Sequence, residues 1–184
     1  MSNKINLEVK LRPGEESRLM GGHLWIFSNE LENVDTGVEP GTLCRVLNSK
    51  GRKVATGFFN PRSLISVRVL QKGDAPLPED FLEARLRQAF EYRKTAGVTG
   101  SGRMCFGESD SLPGLVVDRY GDLLVVEILS AGMERMKAEI VAALKNLYSP
   151  AGIYFMNKHE FRKLEGIPLE NESVGDVPES VVIE

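Results

Sequence analysis

The sequence predicts an α+β fold of two small domains, a small β-barrel followed by a small α/β sandwich with the order strand, strand, helix, strand and a flanking helix. Three observations support this prediction. Five short apolar segments crowd into the first 72 of the 184 residues. Long segments with apolar residues three and four positions apart, the helical period, occur only further along the chain. Between the two regions, residues 73–78 read Gly-Asp-Ala-Pro-Leu-Pro, a composition typical of a linker.

The first region alternates between short strands and turns. Residues 6–11 alternate polar and apolar side chains, the period of a half-buried strand. Pro13 suits a helix start, Glu15 and Glu16 favour the first turn, and Gly21 suits the end, so a helix of about two turns is predicted. Further strands are predicted at residues 25–27, 43–47, 54–59 and 64–70. Five short strands at close spacing indicate a small barrel.

The second region combines long helices with a hairpin. Asp80 and Glu83 have capping-box spacing, and a helix is predicted from there to Ala96. Residues 100–103, Gly-Ser-Gly-Arg, are predicted to form a flexible connection, because they follow a helix and so lack the context of a phosphate-binding loop. The remaining elements are predicted as a hairpin of strands 115–117 and 124–128 with its turn at 120–122, a helix over 132–148 and a strand over 153–156.

Charge and cysteine content restrict the function classes. The net charge is −3, yet residues 1–72 hold 11 Lys and Arg against 7 Asp and Glu, whereas residues 73–184 hold 12 against 19. The basic first region favours a polyanionic partner such as a nucleic acid. Cys44 and Cys105 lie far apart and outside any Cys-x-x-Cys, which predicts buried thiols. No long apolar run or signal-peptide core is visible, so we expect a cytoplasmic protein without membrane contact.

Three stretches of the chain resemble one known family. Residues 106–128 read FGESDSLPGLVVDRYGDLLVVEI and are the most specific of the three. Residues 22–30, GHLWIFSNE, are similar to the family's Gly-His-Pro-Trp-Val-Phe element, with Leu24 in place of proline. Residues 157–167 resemble its Arg-rich segment, with Glu-Gly-Ile in place of Glu-Gly-Leu. The chain thus resembles the N-terminal and middle domains of ribosomal RNA large subunit methyltransferase I, which uses S-adenosylmethionine to methylate C5 of a cytosine in 23S rRNA.

The resemblance implies a division into domains. Residues 1–72 are expected to form a PUA-like RNA-binding domain, residues 73–79 a linker, and residues 80–167 a central α+β domain. Residues 168–184 are expected to lead toward a C-terminal methyltransferase domain that is missing here. By the same resemblance, ribosomal RNA is the expected partner, S-adenosylmethionine is expected only for a full-length parent, and a homodimer of that parent is left open.

We assign no catalytic, cofactor-binding or metal-binding residue to this chain. A class I methyltransferase needs a βαβ unit with a Gly-rich turn, and no such unit is predicted here. C5 methylation of cytosine needs a thiolate, but Cys105 lies outside the region where the family keeps its catalytic thiol. Acidic residues 108, 110, 118 and 122 suggest a magnesium site or an acid/base pair, but no His or Cys accompanies them. The resemblance implies a structural or substrate-orienting role for them instead.

Eight residues of the first region are candidates for RNA contact. Near residues 22–30, a guanidinium, an imidazole and an indole suit unpaired nucleotides, which proteins bind by stacking and by phosphate contacts. Five further basic residues, three of them at a hairpin tip, suit phosphate contacts. The candidates are Arg18, His23, Trp25, Lys50, Arg52, Lys53, Arg62 and Arg68. Two alternatives stay open: a lone tryptophan beside apolar residues is also typical of a core, and charged turns also serve solubility.

The predicted helix over residues 80–96 is also basic on one side. A solvated face is the simpler interpretation, and an extension of the RNA-binding surface is the alternative. The residues concerned are Arg85, Arg87, Arg93 and Lys94. The sequence thus predicts the RNA-binding, substrate-positioning portion of a 23S rRNA (cytosine-C5) methyltransferase. A stand-alone, non-enzymatic PUA-type RNA-binding adaptor is the alternative function, and an assembly module with an incidental basic patch is a third.

Overall fold

The computed structural model describes residues 5–32, 36–98 and 100–180. These residues form two five-stranded sheets with helices packed against the second, which confirms the α+β class. The elements are β1 (Leu7–Lys10), α1 (Glu16–Met20), β2 (Trp25–Ile26), β3 (Thr42–Leu47), β4 (Lys53–Phe59), β5 (Val67–Lys72), α2 (Phe81–Thr95), β6 (Gly102–Phe106), β7 (Leu115–Tyr120), β8 (Leu123–Ile128), α3 (Ala131–Arg135), α4 (Lys137–Tyr148), β9 (Gly152–Phe155), α5 (Phe161–Glu165) and β10 (Glu172–Gly175). Two short 3-10 helices span Ser28–Glu30 and Gly107–Asp110.

The first sheet has the strand order β1-β3-β4-β5-β2. Strand β1 runs parallel to β3, and the other pairs are antiparallel. The register between β4 and β5 shifts at Gly57, where an added Cβ would lie 2.5 Å from the carbonyl oxygen of Arg68. Such bulges increase local twist, so the sheet curls around its core. The buried core residues include Leu11, Val46 and Phe59.

All five strands predicted for the first region are present. The last of them begins at Val67 rather than residue 64, because the preceding loop has its own hydrogen bonds. The backbone N–H of Asn60 donates to Ser66 O at 2.8 Å, and Ser66 Oγ donates to Ser63 O at 3.1 Å. These bonds hold the loop between β4 and β5 in a closed turn.

The second sheet has the order β10-β9-β8-β7-β6. The predicted hairpin forms β7 and β8, and β9 lies parallel to β8 after the crossover through α3 and α4. Helices α2 and α4 contact each other over the sheet. The fully buried residues of the apolar core beneath them include Leu115, Val117, Val126, Ile140, Leu144 and Phe155.

Several predictions for the second region need correction. The helix predicted over 132–148 is two helices that meet at Met136, whose backbone N–H bonds to Met133 O at 3.1 Å. Gly102 and Arg103, predicted as a flexible connection, begin β6 and pair with β7. Strand β10 was not predicted, and it pairs antiparallel with β9. The predicted start of a strand at residue 181 lies outside the described residues.

The two sheets share one continuous junction. Phe58 and Leu70 belong to the first sheet, but their side chains pack in the core of the second. An added Cβ on Gly132 would lie 2.0 Å from the Phe58 ring, and one on Gly41 would lie 2.5 Å from the Ala131 backbone. The first sheet and α3 therefore meet at backbone contact distance. Among the helices described here, none is long and apolar enough to cross a membrane.

Candidate nucleic-acid interface

His23 and Trp25 lie on the turn and edge strand that follow α1. The helix ends at Met20, and Gly22 adopts φ +107°, a conformation that glycine reaches without strain. The N–H of His23 donates to Arg18 O at 3.1 Å, which fixes the turn. His23 is exposed, and Trp25 is 41% exposed because strand alternation points Ile26, not Trp25, into the core. The interpretation of Trp25 as a core residue is therefore wrong.

Arg18 lies beside this turn but is partly neutralised. Its Nη1 donates to Glu30 Oε1, and its guanidinium lies 5.2 Å from the centre of the Phe27 ring. The Glu30 side chain is buried, and its Oε2 also accepts from the Phe27 N–H at 2.6 Å. Because a buried carboxylate needs a cationic partner, Arg18 stabilises the domain as well as contributing positive charge to the surface.

Arg68 connects Trp25 to the second domain. Its side chain is only 13% exposed, and its guanidinium lies 5.7 Å from the centre of the Trp25 ring. Its nitrogens contact Glu165 Oε1 at 3.0 Å and Glu108 Oε1 at 3.4 Å. The same Glu108 oxygen accepts from Trp25 Nε1 at 2.6 Å. Arg68 and Glu108 thus orient the indole, and the ion pairs occupy the guanidinium that the sequence suggested for RNA.

The basic hairpin tip lies at the other end of the sheet. Asn48 Oδ1 accepts from the N–H groups of Lys50 and Arg52, both at 3.0 Å, and closes the turn. Lys50 and Arg52 are exposed, whereas Lys53 Nζ donates to the carbonyls of residues 74 and 75. Lys53 is the first residue of β4. Phe58 lies near the other end of this strand, where it pairs with Arg68.

The eight candidates therefore do not form a single cluster. Exposed Arg62 lies in the loop between β4 and β5, at the end of the sheet that carries Trp25. Three of the eight lie at the hairpin tip, and five lie around β2 and the start of β5. The second group is Arg18, His23, Trp25, Arg62 and Arg68.

Glu165 is a structural residue beside the candidate site that sequence reasoning missed. Its carboxylate, 4% exposed, accepts from Asn60 Nδ2, Ser63 Oγ and Arg68 Nη2, each at 3.0 Å, and from the Ala131 N–H at 3.1 Å. These donors come from the loop after β4, from β5 and from the start of α3. In the sequence, Glu165 ends a charge-rich segment just before Gly166, which is the usual signature of a solvated helix end. No local signal reveals partners about a hundred residues away.

Three of the four acids of the central stretch form ion pairs, namely Glu108, Asp110 and Asp118. Asp110 accepts from both terminal nitrogens of Arg93, at 2.5 and 2.7 Å, and Asp118 accepts from Arg103 at 2.8 and 2.9 Å. Hydrogen bonding to Asp110 raises the pKa of Arg93, and bonding to Asp118 raises that of Arg103. Within residues 5–32, 36–98 and 100–180, no group of three His, Cys, Asp or Glu side chains is placed to hold a metal ion.

Both cysteines are buried, as predicted. Burial raises the pKa of the Cys44 thiol to about 12, and burial together with nearby Asp110 raises that of Cys105 to about 12. A thiol with so high a pKa is protonated at neutral pH, so neither side chain is a ready nucleophile.

Sequence comparisons show which known proteins this chain is similar to. The family model of a PUA-like domain matches residues 9–72. Ribosomal RNA large subunit methyltransferase I of Serratia proteamaculans is 34% identical over 97% of this chain and 46% of its own length. The protein of the same name from Erwinia tasmaniensis is 35% identical over 95% of this chain and 45% of its own length. The chain thus spans about half the length of the curated relatives it matches.

Two solved structures share the fold. A putative SAM-dependent methyltransferase from Streptococcus mutans superposes with a TM-score of 0.69 at 16% identity, over 81% of this chain and 40% of that one. A putative methyltransferase complexed with SAH has a TM-score of 0.69 at 19% identity, over 82% of this chain and 40% of that one. At such identities the likeness concerns the fold alone.

Proposed function

We propose that this chain, a relative of ribosomal RNA large subunit methyltransferase I over nearly its whole length, is the RNA-binding and substrate-positioning portion of an S-adenosylmethionine-dependent 23S rRNA (cytosine-C5) methyltransferase. The observation that carries the proposal is the exposure of His23, on the turn after α1, and of Trp25, on the edge strand β2 of the PUA-like domain. An exposed indole offers an unpaired base a stacking surface, and a neighbouring imidazole offers it a hydrogen bond.

The proposal assigns separate roles to the parts of the parent protein. Residues 1–72 bind RNA, and residues 73–79 link them to the central domain, residues 80–167. Residues 168–184 lead toward the methyltransferase domain. About half of each relative's length is not covered by this chain. In the parent protein, the part that corresponds to this half then holds S-adenosylmethionine and the reacting cytosine. The protein acts on ribosomal RNA in the cytoplasm, and the extruded or unpaired cytosine is presented to that half.

The test is RNA binding by variants of the exposed strand. Trp25→Ala is expected to weaken binding of unpaired 23S rRNA fragments about five-fold or more, because one base loses its stacking partner. Fluorescence anisotropy at several salt concentrations measures this loss. Trp25→Phe keeps a ring and is expected to retain most of the affinity.

A matched control is Phe161→Ala, which removes an aromatic ring that is 59% exposed on α5. It is expected to leave RNA affinity and melting temperature unchanged. If Trp25→Ala and the unaltered chain bind RNA with equal affinity and have equal melting temperatures, Trp25 is not part of the RNA interface. If the unaltered chain bound RNA with no salt dependence, the proposed function itself would fail.

The intact mass of the native protein separates this function from a stand-alone adaptor. A mass about twice the 20.4 kDa of this chain is expected, because the relatives are about twice as long. A native mass of 20.4 kDa would instead favour the non-enzymatic adaptor.

A further inference from the structure

A groove of about 320 Å³ runs between α2 and the 3-10 helix Gly107–Asp110. Helix α2 contributes residues at spacings of three and four, so they share one face. The opposite wall consists of the 3-10 helix and Ser111, whose φ of 59° turns the chain sharply after it. The polar and aromatic side chains that line the groove are Arg85, Gln88, Tyr92, Arg93, Ser109, Asp110 and Ser111.

Arg85 gives the groove an uncompensated positive charge. Its Nη1 donates to Ser111 O at 2.8 Å and its Nη2 to Leu70 O at 2.7 Å, so both of its bonds go to neutral carbonyls. In the described parts of the chain, no carboxylate lies within ion-pairing distance of it. Partial burial lowers the pKa of Arg85, because its guanidinium loses part of its hydration. An anion entering the groove would supply the missing partner.

Arg93 differs from Arg85 in this respect. Its guanidinium forms two bonds to Asp110, which neutralise it. The only acid that lines the groove is thus already paired, and the net charge of the lining is that of Arg85.

The remaining groups suit a nucleotide. The Tyr92 side chain is 69% exposed. The Arg93 guanidinium lies over its ring, 5.4 Å from the centre, which leaves the opposite face for stacking. Gln88, Ser109 and Ser111 are exposed, and across residues 5–32, 36–98 and 100–180 none of their side-chain polar groups has an intramolecular hydrogen bond. Hydroxyls and a guanidinium bind phosphate, an aromatic ring stacks on a base, and an amide can bond to a base edge.

The groove is adjacent to Trp25 through the 3-10 helix. Glu108 of this helix accepts the indole N–H of Trp25, and the next two residues, Ser109 and Asp110, line the groove. Consecutive residues of a 3-10 helix rise about 2 Å each, so a few nucleotides suffice to reach from the indole to the groove.

We propose that the groove between α2 and Gly107–Asp110 is a second RNA subsite, in which Arg85 binds a phosphate and Tyr92 stacks on an unpaired base a few nucleotides from the one at Trp25. This subsite rests on the proposed RNA-binding function and extends it from the PUA-like domain to the central domain. It takes single-stranded RNA, because a base must be unpaired to stack on the ring.

Tyr92→Ala and Gln88→Glu test the subsite by binding of single-stranded RNA oligonucleotides. Tyr92→Ala is expected to weaken binding about five-fold or more through loss of stacking. Gln88→Glu places a carboxylate one helical turn from Arg85, so we expect weaker binding and a logarithmic salt slope reduced by about one. Both positions are exposed, so unchanged melting temperatures are expected.

Tyr92→Phe is the matched control, because it keeps the stacking ring and is expected to bind within about two-fold of the unaltered chain. If Tyr92→Ala and Gln88→Glu bind like the unaltered chain while Trp25→Ala does not, the groove is not a subsite and the proposed function stands. If the unaltered chain shows no salt-dependent RNA binding, both proposals are overturned. Loss of binding in the two groove variants alone supports the subsite and contradicts a contact at Trp25.

Discussion

At the scale of single residues, Glu165 is the most constrained side chain of the junction. Its two oxygens accept four hydrogen bonds, one of them from Arg68, whose side chain is 13% exposed. Charge-assisted bonds of this kind are stronger than neutral ones. Removing the carboxylate would leave a guanidinium and an amide buried with unsatisfied donors, which is costly in a site of low dielectric constant.

Glu165→Ala is therefore expected to lower the free energy of unfolding by about 3–5 kcal/mol, the range for breaking a buried ion pair. Urea denaturation measures this change. Glu160→Ala is the control, since that side chain is 79% exposed and pairs only with Lys163, and a change within about 0.5 kcal/mol is expected there. Equal losses for the two variants would contradict the structural role of Glu165.

At the scale of elements, α3 is a short helix whose position depends on one glycine. Gly132 lies inside the helix, where alanine would normally be favoured by about 1 kcal/mol. Here, however, a Cβ would lie 2.0 Å from the Phe58 ring of β4, far inside van der Waals contact. The close packing of a helix on a neighbouring strand thus overrides the intrinsic preference of the backbone.

Gly132→Ala is expected to destabilise the protein by about 1–3 kcal/mol, as overpacking of a tight core does. Gly21→Ala is the control, because that residue has φ −72° and its nearest contacts would be 3.4 Å away. Thermal melting of both variants checks the difference. A Gly132→Ala variant as stable as the unaltered chain would show that α3 can move away from Phe58 at little cost.

At the scale of the whole molecule, the two sheets share part of their core. Phe58 and Leu70 cross from the first sheet into the core of the second, and Arg85 of α2 donates back to Leu70 O. Apolar contact, hydrogen bonds and the Glu165 ion pair therefore act across the same junction. Elements coupled in this way unfold together rather than one after the other.

Urea unfolding is accordingly expected to be a single transition. The fluorescence of Trp25, the only tryptophan, follows the first sheet, and far-UV circular dichroism follows both. Coincident midpoints are expected from the two probes. A fluorescence transition at lower urea than the dichroism transition would mean that the PUA-like domain unfolds independently.

Much of the fold could be predicted from local patterns, and the junction could not. Period-two alternation located β1, and the turn residues between apolar runs located β7 and β8. Strand β6 was missed because Gly102 resembles a loop glycine, yet it pairs with Arg119. From the sequence, Trp25 could be interpreted as a core residue or as an exposed RNA contact. Its environment depends on Glu108, which lies 83 residues further on. The groove at Tyr92 forms between two elements that folding brings together, so no single stretch of the sequence predicts it.

The backbone contact between Gly41 and Ala131 also has an evolutionary consequence. Because a Cβ at position 41 would lie 2.5 Å from the Ala131 backbone, only glycine fits where the chain before β3 meets α3. Exchange of the PUA-like part for one that carries a side chain at this point would separate the two halves. Recombination is therefore expected to preserve the two sheets as one inherited unit.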